Sequence, residues 1–218
     1  VKQWRNWHFP DEEKHLLDWM QTTNDVRDGR PTYQALKYDE ALSHCRHRRV
    51  AVDIGANIGL WSWLMARDFG QVEAFEPVPK FAECWAMNVQ HGNLHRMALG
   101  ASPGRVSMVN LTPGSCGDTT VNIGQGGIEV GHDVEMRTLD SFAFCEVDLI
   151  KCDNEGFELF VMQGAVETLK RCRPVVIVEQ KPGHGSAFGL SDTAAVDFLA
   201  GLGMRLQRVM AGDYVLKF

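Results

Sequence analysis

From Arg49 onward the sequence alternates short apolar runs with helix-patterned stretches, and this alternation constrains the fold more than any other feature. VAVDI, QVEAFE, LHRMAL, VDLIKCD (147–153), PVVIVEQ (174–180) and DYVLKF read as strands. Helices are predicted near 58–69, within PVPKFAECWAMNVQHG, from about Phe157 to Cys172, and in SDTAAVDFLAGLG with Ser191 as cap. Repeated strand–helix units predict an α/β fold: a doubly wound, mostly parallel, Rossmann-like sheet with helices on both faces.

Residues 104–140 break this rhythm. GRVSMVN and IEVGHDVEMRT predict an inserted β-hairpin, and the Gly/Ser/Thr-rich stretch between them predicts a functional or mobile loop. Residues 1–49 carry helical patterns in DEEKHLLDWMQ, with Asp11 as N-cap, and in YDEALSHCR. The expected organisation is an N-terminal helical cap (1–49) on one domain (50–218).

Charge and cysteine usage narrow the function. A net charge of −6 argues against a large nucleic-acid footprint, which needs a basic surface. The basic cluster HCRHRR, His44 to Arg49, is either a solvated loop or a contact for an anionic substrate. None of the six cysteines forms a C-x-x-C pair or lies at zinc-ligand spacing, so reduced thiols in a cytoplasm are expected. No apolar run approaches the ~20 residues of a membrane span.

The stretch AVDIGANIGLWSWL is the most informative. Asp53 to Gly59 falls where the first strand turns into the first helix, and ligands of open α/β sheets bind outside the carboxyl ends of strands. Gly55 allows the sharp turn; Gly59 lets a ligand or strand approach the helix start. This is not a dinucleotide loop. The middle glycine of G-x-G-x-x-G is replaced by Asn57, whose side chain would crowd a pyrophosphate. Asp53 suits a cationic amino group instead. Glu76, at the end of the second strand, stands where an acid accepts hydrogen bonds from a ribose diol. Together they describe a nucleoside carrying an amino acid, a description S-adenosylmethionine fits. The alternative is that both acids are helix caps or strand-end charges.

VDIGANIGLWS, AFEP, ALG, TLDSF, DLIKCDNEGFELFVMQGA and RPVVIVE occur in the order found in the FkbM-type methyltransferases, which this chain resembles over roughly residues 50–180. The resemblance implies a class I, Rossmann-like methyltransferase domain. It implies S-adenosylmethionine as donor, S-adenosylhomocysteine as product, and a hydroxyl of a sugar, glycan or small natural product as acceptor. It assigns Asp53, Gly55, Ala56, Asn57 and Gly59 to the methionine-end loop and Glu76 to the ribose, with Pro77 and Val78 beside the adenine. Ala98 and Leu99 line the adenine or are plain core strand. Asp153 faces the cofactor side.

An alcohol must lose its proton as it is methylated, and a positioned base contributes roughly 10²–10⁴-fold. Glu155 is the first candidate, as base or hydroxyl anchor, followed by Asp153 and by His184 of KPGHG. Lys151 either pairs with a carboxylate or holds the loop. Asn154, where the family has an aliphatic residue, caps the next helix or puts a polar group near the reacting centre. Ser115 and Thr119 are hydrogen-bonding candidates on a loop that could close over substrate. Mg²⁺ on Asp153, Glu155 and Glu179 is a secondary possibility; no dense carboxylate cluster is evident in the sequence, and no metal site is assigned. The chain lacks D/N-P-P-Y/F and a Pro-Cys nucleophile, which argues against the amino-directed and cytosine-C5 nucleic-acid methylases. A cofactor-binding protein without turnover and a methyltransferase acting on nucleic acid or protein remain as alternatives. Trp4, Trp7 and Trp19 pack the cap down or stack a sugar ring.

Overall fold

The computed structural model describes residues 1–218. The N-terminal region is not purely helical. It holds two small antiparallel ribbons, β1 (Lys2–Trp4) with β2 (Trp7–Phe9) and β3 (Val26–Arg27) with β4 (Arg30–Pro31), and two helices, α1 (His15–Thr22) and α2 (Ala35–Ser43). The first ribbon turns at Arg5 and Asn6, both left-handed, a conformation Asn tolerates better than most residues. Asp11 does not cap α1; the Glu13 carboxylate accepts from the Leu16 amide at 2.7 Å instead. Trp7, Phe9, Leu16 and Met20 are buried with Ile58, Leu60, Val78, Phe81 and Ala98, so this region shares a core with the domain that follows. Burial of each large side chain contributes about 1.5–3 kcal/mol, which fastens the segment down.

The main sheet has seven strands in the order β14-β15-β13-β12-β5-β6-β7. These are β5 (Val50–Ile54), β6 (Gln71–Phe75), β7 (Asn93–His95), β12 (Val147–Cys152), β13 (Val175–Glu179), β14 (Arg205–Met210) and β15 (Asp213–Lys217). All neighbours pair in parallel except at β15, which is antiparallel to both β13 and β14. The chain leaves β5 toward β6 and β7, then returns to build β12 and β13 on the other side. The β5/β12 boundary is therefore a topological switch point, where such sheets bind ligands.

Strand β14 was not anticipated, because RLQRVM is half exposed and lacks a buried apolar run. LHRMAL is not one strand: Asn93–His95 extends the main sheet, whereas β8 (Ala98–Leu99) joins a second sheet ordered β10-β9-β11-β8. Its other strands are β9 (Gly104–Asn110), β10 (Thr119–Val121) and β11 (Ile128–Arg137). The expected hairpin is β9 with β11; part of the expected loop forms β10.

Helices α3 (Leu60–Asp68) and α4 (Pro79–Asn88) follow β5 and β6. The helix expected over 157–172 is two, α5 (Glu158–Gln163) and α6 (Val166–Cys172). Asp140 dictates the break, since its carboxylate accepts from the Glu167 and Thr168 amides at 3.0 and 2.7 Å and starts a new helix there. Helix α7 (Ala194–Gly201) is not capped by Ser191; Gln180 Oε1 accepts from the Ala195 amide at 2.8 Å.

Strand periodicity sorts the residues by face. Val52, Ile54, Ile150, Cys152, Val176 and Val178 belong to the core shared with α5, α6 and α7. Ala51, Leu149, Val175 and Ile177 face α2 and α3. The same alternation puts Asp53, Lys151 and Glu179 on the α2/α3 face near the strand tips, with Lys151 directly opposite Asp53. No helix is long and apolar enough to cross a membrane.

Candidate active site

A cavity of about 750 Å³ lies over the tips of β5, β6, β12 and β13. It is lined by Asp53, Gly55, Ala56, Asn57, Glu76, Pro77, Lys151, Asp153, Asn154, Glu155 and Glu179. Leu16 and Tyr33 from the N-terminal region, Cys116 and Gly117 from the inserted loop, and Trp61 and Phe81 from the helices complete it. Of these, Cys116 and Gly117 belong to the loop expected near the substrate, whereas Leu16, Tyr33, Trp61 and Phe81 were not assigned to the site from sequence, because the tertiary fold brings them in.

The glycine turn is built by close approach. A Cβ on Gly55 would stand 1.9 Å from the Asp153 carbonyl oxygen, and φ is +78°, so only glycine lets the β5 and β12 loops meet. Gly59 (φ +92°) serves packing: a Cβ there would stand 2.6 Å from Val89 and 2.9 Å from Trp85. Gly59 thus faces α4 rather than the cavity, and the approach anticipated for it is that of a helix, not of a ligand. Val78 is likewise fully buried in the core and does not line the cavity. Ala98 and Leu99 border a smaller adjoining space of about 320 Å³ with Pro77, Met97 and Phe157.

Glu76 organises the turn. Its Oε2 accepts from the Asn57 amide at 2.7 Å and its Oε1 from the Val78 amide at 2.8 Å. Burial pushes its pKa up to about 7 against those two amides, which favour the charged form. A carboxylate has about four lone-pair sites, so two remain for further donors. Asp53 is fully buried; its Oδ2 accepts from Ser62 Oγ at 2.6 Å, and Ser62 Oγ accepts from Trp85 Nε1 at 2.8 Å. Asp53 Oδ1 has no hydrogen-bond partner. An orphaned buried carboxylate oxygen lining a cavity is costly unless a donor arrives. Burial raises the Asp53 pKa, and Lys151 opposes that rise.

Lys151 resolves its two possible roles by pairing: its Nζ donates to Asp153 Oδ2 at 2.8 Å and sits 5.6 Å from the Trp61 ring centroid. Burial alone would lower the Lys151 pKa, but Asp153 and Asp53 outweigh it and keep the ammonium charged. The same pairing holds Asp153 below the ordinary carboxylate range despite burial. Asn154 does not cap α5. Its side chain lies against Gly55, and its amide donates to Glu158 Oε1 at 2.8 Å.

Glu155 is strained, with φ +51° at a non-glycine residue. His184 Nδ1 lies 2.6 Å from Glu155 Oε2, in an ion-pair contact whose angle falls outside hydrogen-bond geometry. Burial raises the Glu155 pKa; contact with Glu155 raises that of His184. Glu179 stands nearby, nearly fully buried, and burial followed by Asp153 and Glu155 pushes it up to about 10. The carboxylate cluster that is not evident as a run in the sequence is thus assembled by the fold.

A second, more open space of about 1000 Å³ adjoins the first across Leu16, Tyr33, Gly117, Glu155 and Lys181. Lys14, His15, Asp18, Ser115, Asp118 and His184 also line it, so it is mostly polar. Thr119 lines the inner cavity rather than this one. Two segments roof the inner cavity and are latched together. Glu13 accepts from both the Leu16 and the Cys116 amides, Gly114 O accepts from the Lys14 amide at 2.9 Å, and Asn57 Nδ2 donates to Cys116 O at 2.8 Å.

Trp7 is fully buried and packs edge-on against Trp63, so it fastens the N-terminal region down. Trp19 is exposed and lies edge-on to Tyr33 at 4.8 Å.

Among solved structures, the chain is similar to an FkbM methyltransferase from Methylobacillus flagellatus KT (15% identity, TM-score 0.52), covering 78% of this chain and 44% of that one. It thus spans less than half the length of that relative. It is also similar to a TehB-like SAM-dependent methyltransferase from Corynebacterium glutamicum (10% identity, TM-score 0.50), covering 93% and 92% of the two chains. At these identities the likeness is one of fold. No curated protein sequence matches the chain. The sequence profile of the Methyltransferase FkbM domain matches residues 53–206, from the first cavity aspartate into the last strand pair, and the chain belongs to this family of methyltransferases.

Proposed function

We propose that the protein transfers a methyl group from S-adenosylmethionine to a hydroxyl of a sugar, glycan or small natural product. The observation that carries the reading is the orphaned Asp53 Oδ1 beside the Glu76-braced turn, in a cavity that opens over the tips of the first two core strands. In this reading Asp53 meets the amino group, Gly55, Ala56 and Asn57 pass beneath the amino-acid portion, and Glu76 accepts from the ribose diol. Pro77, with Ala98 and Leu99 behind it, borders the adenine. When bound, S-adenosylmethionine supplies an electrophilic methyl group on sulfonium sulfur and leaves as S-adenosylhomocysteine once the acceptor oxygen has taken that methyl.

The acceptor reaches the site through the outer polar groove. Glu155 stands on the seam between the two spaces, with His184 against it and Asp153 on the cofactor side. Glu155 anchors the hydroxyl, and this carboxylate–imidazole group takes up its proton. The polar lining of the groove supports a hydroxylated acceptor. Its mixed charge, with Lys14, His15 and Lys181 set against Asp18, Asp118 and Glu155, supports an acceptor other than nucleic acid, as does the net charge of −6. Six free cysteines support a reducing, cytoplasmic setting.

The test is a mass-spectrometric search for methyl-labelled products after incubation with labelled S-adenosylmethionine and a panel of glycans and hydroxylated metabolites. Glu155→Gln is expected to bind S-adenosylmethionine within about twofold of wild type while turnover falls roughly 10²-fold or more. Full turnover in that variant removes Glu155 from the reaction. Labelling of nitrogen or nucleic acid in place of hydroxyl overturns the acceptor class.

A further inference from the structure

The Glu155–Glu179–His184 corner holds more unmet bonding capacity than the acceptor hydroxyl alone can satisfy. Glu179 ends β13 on the α2/α3 face, and only 3% of it is exposed. Glu179 Oε1 has no partner at all, Glu179 Oε2 meets only the Lys181 ammonium at 2.9 Å, and Glu155 Oε2 meets only His184 Nδ1 at 2.6 Å. Leaving a buried acceptor unmatched costs about 1–3 kcal/mol, so Glu179 Oε1, aimed into a corner with a second carboxylate and an imidazole, calls for a ligand. One donor atom from each of Glu155, Glu179 and His184 lies within 4.8 Å of the others. Two ligands on one ion at bonds of about 2.0–2.2 Å stand at most about 4.4 Å apart when opposite and about 3.3–3.6 Å apart in a tetrahedral site, so closing the set takes a contraction of roughly 0.4 Å to somewhat over 1 Å, depending on the geometry adopted.

We propose that this corner is a divalent-cation site, with Glu155, Glu179 and His184 as ligands. The imidazole makes the choice of ion. Two carboxylates alone would suit Mg²⁺, whereas nitrogen with two carboxylates suits Mn²⁺ or Zn²⁺. Lys181 is the present competitor: its Nζ lies 2.9 Å from Glu179 Oε2, but 41% of its side chain is exposed, and a flexible stem lets it swing into the outer groove. With the ion in place Glu155 and His184 act as ligands. Asp153 stays paired with Lys151, and the acceptor proton passes to solvent in the outer groove. An ion here lowers the pKa of a hydroxyl that reaches the seam. That role rests on the proposed methylation of a hydroxyl; the binding site itself does not.

The test uses the full chain, freed of metal by chelation, titrated calorimetrically with Mn²⁺, Zn²⁺ and Mg²⁺ without donor or acceptor, and with Mn²⁺ followed by electron paramagnetic resonance. One ion per chain is expected, with Mn²⁺ or Zn²⁺ at least tenfold tighter than Mg²⁺. Glu179→Gln and His184→Ala, checked for native circular dichroism, should each weaken binding tenfold or more, and Lys181→Ala should tighten it. Binding no tighter than millimolar in both wild type and Lys181→Ala overturns the site. Unchanged affinity in both Glu179→Gln and His184→Ala overturns it too, by putting the ion elsewhere. Because no methyl transfer is read, failure here leaves the proposed reaction standing, and a metal-binding protein that methylates nothing separates the two the other way.

Discussion

Replacing Glu76 with alanine separates ligand binding from folding. In the folded protein Glu76 braces the amides of Asn57 and Val78. Orphaning these costs about 1–3 kcal/mol each. The substitution also removes a buried acid whose pKa has risen from 4.5 to about 7. At about 1.4 kcal/mol per unit, that rise is roughly 3 kcal/mol of instability at pH 7.5. The two effects oppose each other, so the stability of Glu76→Ala, read by urea unfolding, should lie within about 3 kcal/mol of wild type. Binding has no such offset. The ribose hydroxyls lose their acceptor and the turn loses its brace, so affinity for S-adenosylmethionine, read by calorimetry, should fall by about 1–3 kcal/mol, or roughly 5–150-fold. An unchanged dissociation constant in a folded variant refutes the ribose assignment. A loss of affinity matched by gross unfolding refutes the opposition of terms.

The pH profile gives a second expectation. Glu76 and Glu158 both have pKa values raised by burial from 4.5 to about 7. Raised carboxyl values mean that the folded state holds these protons more tightly. Stability conferred below the unfolded value is therefore lost as pH climbs from about 4.5 to 7. The urea midpoint should fall across that window, and Glu158→Gln should flatten the fall; a midpoint that rises there contradicts the burial argument. Gly55→Ala places a Cβ 1.9 Å from the Asp153 carbonyl in a left-handed conformation. It should cost about 3 kcal/mol or more, a drop of roughly 6–12 °C in Tm by calorimetry; a wild-type Tm would mean that the two loops do not touch. Glu13→Ala frees the Leu16 and Cys116 amides, so hydrogen exchange across 114–118 should quicken while β5 and β12 stay protected; unchanged exchange removes the latch.

The parallel sheet and its ligand edge were legible because both faces of β5, β12 and β13 are covered, which leaves near-continuous apolar runs. Asp53, Asp153 and Glu155 were legible as acids at strand ends. Glu179 was legible as a possible ligand beside Asp153 and Glu155 but not as a partner of His184, since that depends on how the loop after β13 folds back. Its face was readable, because period-two alternation puts Glu179 on the same face as Asp53 and Lys151. Gly59 was legible only as a point of close approach, because a glycine at a helix start serves a packing helix as well as it serves a ligand. The N-terminal ribbons were missed because three-residue strands have no periodicity to read; Asn6 between two tryptophans was the available turn signal. Tyr33 and Leu16 could not be found from sequence spacing, as only the tertiary fold brings them over the β5 turn, whereas Cys116 lies in the loop already expected near substrate.

The latched roof has a kinetic consequence. Leu16 and Cys116 meet through Glu13 from positions a hundred residues apart in the chain, so the mouth by which the inner chamber meets the outer groove is rimmed by two segments tied together at one carboxylate. Cutting that tie lets the rim spread, so Glu13→Ala should quicken the release of S-adenosylhomocysteine, read by stopped flow, even as it weakens the grip on fresh donor.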